Sequence, residues 1–254
     1  MMGPTAVVFD CDGVLASNGS SWQSIHESFG TENKEMFARF VNREIDDDEF
    51  MADDVSKWMG KRGRIHKDDI ARCYSGVKLM SGGREVVEKL QERGILVAIV
   101  SSGVDIFVGM VASMLKVDDW IANGFEWDED GWMVGPLPSR VLSFEKGIAV
   151  EKFRRINYLM PEEITSVGDS GSDISMKIEG SRFIGFNPSA TWSLDAFKRA
   201  SVPIVESDDL RSIWPLLFEG GFLTQTNGID ATAWVSRFTT VSMHGRGWNP
   251  SIRW

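Results

Sequence analysis

Three short apolar runs, each breaking off abruptly into small polar residues, constrain the fold of this chain more than any other feature. Ala6-Val7-Val8-Phe9 ends in Asp10, residues 96–100 end in Ser101-Ser102-Gly103, and residues 164–167 end in Gly168-Asp169. Runs this short and this apolar suit strands of a parallel sheet, which are buried on both faces because helices cover each side. Weaker runs at 183–186 and 203–205 extend the set. Helical periodicity separates them at 84–92, closed by Gly94, at 106–115 and at 146–156. The alternation predicts an α/β fold, a Rossmann-like doubly wound parallel sheet.

Residues 14–80 interrupt that alternation. They read as amphipathic helices, such as 32–43 and 48–59, without a convincing strand, and predict a small α-helical cap inserted after the first strand. The expected organisation is a core of residues 1–13 and 81–219, a cap of 14–80 and a C-terminal extension of 220–254. Asp128-Glu129-Asp130-Gly131, between Phe125-Glu126-Trp127 and Trp132-Met133-Val134, predicts a β-hairpin. The extension carries Trp234, Trp248 and Trp254 but no readable architecture; docking on the domain or a partner contact would each explain its aromatics.

At 254 residues the chain is long enough for one core domain with a smaller one inserted. A hydrophobic fraction of 43% and a charged fraction of 25% point to neither a disordered nor a membrane protein. The apolar stretch at 95–100 is far too short to span a bilayer. The start, MMGPTAVVFD, lacks a basic region followed by an apolar core, so a cytoplasmic location is expected. Cys11 and Cys73 are too few for a disulfide framework and are expected as free thiols. A net charge of -10 disfavours nucleic acid and anionic membranes as partners. It also repels phosphorylated molecules, so an enzyme for them would need a metal ion and a few well-placed Lys or Arg residues.

Ligands of an open parallel sheet bind outside the carboxyl ends of its strands. Here those ends carry Asp10-Cys11-Asp12-Gly13, Ser101-Ser102-Gly103 and the run from Gly168 through Asp169 to Asp173, with Lys146 ahead of a helix. The set contains what phosphoryl transfer needs: a carboxylate to attack phosphorus, a second to handle the leaving-group proton, and ligands for a hard cation. Asp10 and Asp169 suit Mg2+. Ser101, Ser102, Lys146 and N–H groups near Gly103 suit the remaining phosphate oxygens. Competing readings fare worse. A calcium loop would need Gly and Glu where Leu15 and Ser21 stand, a cysteine phosphatase loop would need Arg at Ser17, and His26, His66 and His244 are too scattered for a zinc site. A basic cluster from Lys57 through Arg62 to Lys67 is either a solvated face or a source of one or two side chains that reach a second anionic group of the substrate.

In order, VVFDCDGV, IVSSG, EKG and VGDSGSDISM resemble the four motifs of the haloacid dehalogenase superfamily, over roughly residues 5 to 215. GDSGSDISM and the cap placement resemble its phosphoserine phosphatase-like branch. The resemblance implies Asp10 as nucleophile and Asp12 as general acid, then base. It also implies Ser101 and Lys146 as phosphate ligands, and a magnesium site made by Asp10, Asp169 and the main-chain carbonyl of Asp12, with Asp173 supporting the metal's water shell. Ser172 stands where the branch commonly has Asn. The branch's cap Glu and cap Arg fall on Ser17-Asn18-Gly19-Ser20-Ser21 and on Lys57. Lys57, Arg62, Ser172 and Asn187 are the candidate substrate-binding residues. The expected activity is hydrolysis of a small phosphorylated metabolite by a monomer or homodimer. Transfer to a second hydroxyl, as in a phosphotransferase or mutase, and a non-catalytic binding module stay open as alternatives.

Overall fold

The computed structural model describes residues 3–188, 190–218 and 221–223. Strand β1 (Ala6–Phe9) lies at the centre of a six-stranded parallel sheet. On one side it pairs with β2 (Leu96–Val104), which pairs with the edge strand β3 (Asp119–Asn123). On the other side follow β6 (Ile164–Gly168), β7 (Arg182–Phe186) and β8 (Ile204–Val205). The chain therefore leaves β1 in one direction and returns to its other flank, which makes the carboxyl end of β1 the topological switch point.

Alternation along β1 divides the core into two layers. Val7 and Phe9 pack with Val97 and Ile99 under Val86 and Leu90 of α5 (Gly83–Glu92) and Phe107 of α6 (Asp105–Leu115). Ala6 and Val8 pack with Ala98 and Val100 under Val150 and Phe153 of α7 (Gly147–Ile156) and Phe197 of α8 (Thr191–Arg199). Every β1 side chain is fully buried, so a charge at any of these positions would have no solvent to reach. The four strands expected with apolar runs lie where the sequence places them, and β8 covers the end of the 203–205 run. β3 was not foreseen, and β2 continues through Ser101-Ser102-Gly103, past a register shift against β3 between Val100 and Val104.

Residues 14–80 hold four helices: α1 (Ser21–Phe29), α2 (Lys34–Val41), α3 (Asp47–Arg62) and α4 (Lys67–Cys73). The Ser20 hydroxyl caps α1, and a reciprocal Asp46–Glu49 capping box starts α3. The segments entering and leaving this region run side by side: Ser17 N–H donates to the Lys78 carbonyl and Met80 N–H to the Leu15 carbonyl. The Trp58 ring is fully buried among Trp22, His26, Phe29 and Phe125, so the helices share one continuous apolar cluster with the α5–α6 face of the sheet.

The hairpin forms as expected, from antiparallel β4 (Phe125–Trp127) and β5 (Met133–Pro136). It leans on the helical region: Met133 N–H donates to the Ile65 carbonyl, Lys67 N–H donates to the Gly131 carbonyl, and the Arg64 guanidinium lies 4.3 Å from the Trp132 ring centre. Cys11 and Cys73 are free. Among the described residues no helix is long and apolar enough to cross a membrane. The extension, with Trp234, Trp248 and Trp254, lies outside the described residues apart from 221–223.

Candidate active site

The carboxyl ends of β1, β2 and β6 converge, as the topology requires. Asp10 extends the β1–β6 pairing by donating its N–H to the Val167 carbonyl at 2.9 Å, and its side chain is almost wholly buried. Lys146, just ahead of α7, brings its ammonium to 2.6 Å from Asp173 Oδ1 and 3.0 Å from Asp10 Oδ1. Its aligned hydrogen bond goes to Asp173. Toward Asp10 it is a charge neighbour, and Asp10 Oδ1 has no well-aligned hydrogen bond although it is fully enclosed. The other oxygen of Asp173 accepts the N–H groups of Asp169 and Ser170 at 3.1 and 2.9 Å, so the turn after β6 fixes that carboxylate from below.

Oxygens of Asp10, Asp169 and Asp173 lie within 4.8 Å of one another. Burial, then the neighbouring Asp173 and Asp10, push Asp169 well above the usual carboxylate range. Burial also raises Asp173, with Lys146 opposing. For Lys146 burial works against the charge, but the carboxylates of Asp10 and Asp173 outweigh it and raise its affinity for the proton. One lysine facing two buried carboxylates, with the half-buried Asp169 beside them, leaves the site short of positive charge. That deficit, an all-oxygen donor set and the unaligned Asp10 oxygen fit a hard divalent cation. Gly13 is required here: its φ is +76°, and a Cβ would lie 2.4 Å from Asp169 Oδ2.

Asp12 turns away from that cluster, toward the first turn of α1. Its Oδ2 accepts both the N–H and the hydroxyl of Ser21, at 3.0 and 2.7 Å, and its Oδ1 accepts Asn18 Nδ2 at 3.1 Å. Burial and then the charge of Asp10 push Asp12 up to about 6, with the Ser21 and Asn18 donors pulling the other way. A carboxyl in that range can hold or release a proton near neutrality. Cys11, between the two aspartates in sequence, points into the core, where burial pushes its thiol up and removes it as a nucleophile.

The Ser101 hydroxyl accepts the N–H of Gly103 at 3.1 Å. The carbonyl of Ser102 is tied on both sides, to Trp22 Nε1 of α1 at 3.0 Å and to Asn123 Nδ2 of β3 at 3.3 Å. Above this floor a cavity of about 500 Å³ rises between the sheet edge and the helices. Asp10, Asp12, Ser101, Lys146 and Asp173 line its bottom, and Ser102, Gly103, Asp169 and Ser172 also border it.

Three other sequence candidates lie off this cavity. Lys57 pairs with Asp53 one turn earlier on α3. Arg62 lies over the Phe29 ring at 4.9 Å. Asn187, beyond the end of β7, spends its N–H on the Val205 carbonyl. None of the three borders the cavity, unlike Lys34, which does. Sequence reading missed Asn18 and Ser21, which hold Asp12, and Trp22, which holds the end of β2. The run of Ser and Asn just after the first motif, ending in a helix cap, is the signal that could have found them.

Comparison with known proteins agrees with this geometry. The family model described as haloacid dehalogenase-like hydrolase matches residues 7–176. A phosphoserine phosphatase of Archaeoglobus fulgidus is 30% identical over 183 residues, 71% of this chain and 52% of that one. A phosphoserine phosphatase of Methanocaldococcus jannaschii is 27% identical over 212 residues, 82% of this chain and 94% of that one. The chain thus spans about half the length of the first relative and nearly all of the second. A substrate-bound phosphoserine phosphatase complex shares the fold, with a TM-score of 0.66 and 23% identity, covering 85% of this chain and 99% of the other.

Proposed function

The chain belongs to the haloacid dehalogenase-like hydrolases, and from that premise we propose that it is a magnesium-dependent phosphomonoesterase working through a phosphorylated Asp10. The single observation that carries the reading is the enclosed meeting of Asp10, Asp169, Asp173 and Lys146 at the switch point of the sheet. Residues 14–80 form the cap over a core of 1–13 and 81–219, and the substrate is a small phosphorylated metabolite. The two phosphoserine phosphatases named above support that class.

A carboxylate oxygen of Asp10 attacks phosphorus, and the ester P–O bond breaks as the new one forms. The departing alkoxide takes a proton from Asp12, whose elevated pKa keeps that proton available. Asp12 then accepts a proton from a water molecule that attacks the same phosphorus, which frees inorganic phosphate and restores Asp10. Lys146, the Ser101 hydroxyl and the Gly103 N–H hold the phosphate oxygens. Asp10, Asp169 and the main-chain carbonyl of Asp12 would hold Mg2+, with Asp173 supporting its water shell, and the ion would supply neutralisation of the phosphate charge. The test is phosphate release from a panel of phosphomonoesters with and without Mg2+. Release that needs the metal and is lost in Asp10→Asn supports the reading, and turnover retained in that variant contradicts it.

A further inference from the structure

The phosphate floor of the cavity is polar, whereas its upper wall carries four phenylalanine rings among a few polar side chains. Phe40 of α2 and Phe50 of α3 stack with ring centres 4.7 Å apart. The Phe144 ring lies 5.5 Å from Phe40 and Phe37 lies 6.3 Å from Phe50, and all four rings border the same space as Asp10. Phe37 stays 49% exposed and Trp192, which also borders the cavity, 40% exposed. Large apolar side chains left half-open around a cavity mark a surface that a ligand covers.

The amide and ionisable side chains of the upper cavity already have partners inside the protein. Gln23 donates to Glu27, Asn33 to Asp54, and Lys34 pairs with Glu32 at the rim. Asp47 Oδ1 accepts both the N–H and the hydroxyl of Ser143, and burial raises its pKa. A leaving group bearing both an ammonium and a carboxylate would need an opposed pair of free charges here. Against this wall it would instead lose hydration without compensation.

We infer that the alcohol half of the substrate is an uncharged, apolar group of about the size of an aromatic ring, seated in the cavity against the wall that Phe37, Phe40, Phe50 and Phe144 form. The inference rests on the phosphomonoesterase reading of the floor beneath it. Phe37, Phe40, Phe50 and Phe144 are then the specificity-determining side chains, and the chain differs in substrate from an enzyme that reads an amino acid head group.

The experiment uses the full chain with Mg2+ and three primary alkyl esters that present the same phosphoryl group: 2-phenylethyl phosphate, ethyl phosphate and L-phosphoserine. Calorimetric binding of two non-hydrolysable phosphonates, 3-phenylpropylphosphonate and L-2-amino-4-phosphonobutyrate, runs in parallel. The expected kcat/KM for the phenyl ester exceeds each of the others by about tenfold or more, with the same order in phosphonate affinity. Phe37→Ala and Phe144→Ala, neither in the fully buried core, should each shrink that ratio by about threefold or more. Preferential binding of the phenyl phosphonate without turnover of any ester would keep the apolar slot and overturn the hydrolase. Turnover of all three esters with no preference, or a preference for L-phosphoserine, would overturn the slot and keep the hydrolase. Failure of both phosphonates to bind, with no turnover, would overturn both.

Discussion

Ser21 and Asp12 are joined twice: the backbone N–H and the hydroxyl of Ser21 both donate to one oxygen of Asp12, at 3.0 and 2.7 Å. The same hydroxyl accepts the N–H of Val104, at the end of β2, at 3.0 Å. One side chain thus ties the first helix of residues 14–80 to the proposed acid and to the strand that carries Ser101. Both Ser21 donors favour the ionised form of Asp12. Removing the hydroxyl in Ser21→Ala should therefore raise the affinity of Asp12 for its proton.

For Ser21→Ala the expected outcome is a kcat lowered by about tenfold with a smaller change in KM, since the hydroxyl positions Asp12 and does not touch the ester. The alkaline limb of the kcat/KM profile, where an ionised Asp12 can no longer protonate the leaving group, should move to higher pH. Ser21→Thr, which keeps the hydroxyl, should recover part of the loss. A profile that stays in place in Ser21→Ala contradicts the positioning role.

Lys146 is the enclosed cation between Asp10 and Asp173. Lys146→Ala should abolish turnover and, without metal, destabilise the fold by roughly 3–5 kcal/mol, because two buried carboxylates lose their compensation. Added Mg2+ should raise the melting temperature of wild type, and should raise that of Lys146→Ala by more, since the metal then carries the whole compensation. Asp169→Asn should respond to Mg2+ much less than either. Thermal denaturation with and without MgCl2 checks all three; equal metal responses would separate the acidic cluster from metal binding.

Asp119, far from the site at the start of the edge strand, offers a pH test of the fold. Burial pushes it up to about 6, against the Trp120 N–H that its own carboxylate accepts, with Asp118 adding a little. Its folded pKa lies above the unfolded one, so the native chain keeps a proton that the unfolded chain releases. The stability from this group is present below about pH 4 and is lost as pH rises through about 6. Asp119→Asn should match wild type at pH 4 and exceed its melting temperature by about 2–4 °C at pH 7.5, the gain being discounted to about 1 kcal/mol because the group is partly exposed. A difference independent of pH would contradict the assignment.

The sheet was legible where physics leaves one option. Ala6–Phe9 and residues 96–100 are apolar at every position because helices cover both faces, and their polar endings mark the ligand edge. β3 was not legible: Asp119–Asn123 opens with Asp and Trp, lies at the sheet's edge, and has only Ile121 and Ala122 as an apolar pair. Ser101-Ser102-Gly103 reads as a turn, yet pairing resumes beyond a register shift that local sequence does not announce. The motif residues were readable because Asp10 and Asp169 directly follow strands and Lys146 directly precedes a helix. The apolar slot was not, since Phe37, Phe40, Phe50 and Phe144 read as ordinary helix and loop packing until the fold brings them together.

The basic cluster was the least reliable guide. Charges adjacent in sequence diverge around a helix, so α3 sends Lys57 back onto Asp53 at the i,i+4 spacing and its last residue, Arg62, over Phe29. A Lys that does border the cavity, Lys34, lies outside the cluster altogether.

The most direct measurement is to quench the chain in acid during turnover of a phosphomonoester with Mg2+, digest it, and locate the phosphoryl group by mass spectrometry. The expected result is a base-labile adduct on the peptide that contains Asp10, lost in Asp10→Asn together with phosphate release. Steady phosphate release by Asp10→Asn, or an adduct on any other residue, would contradict it.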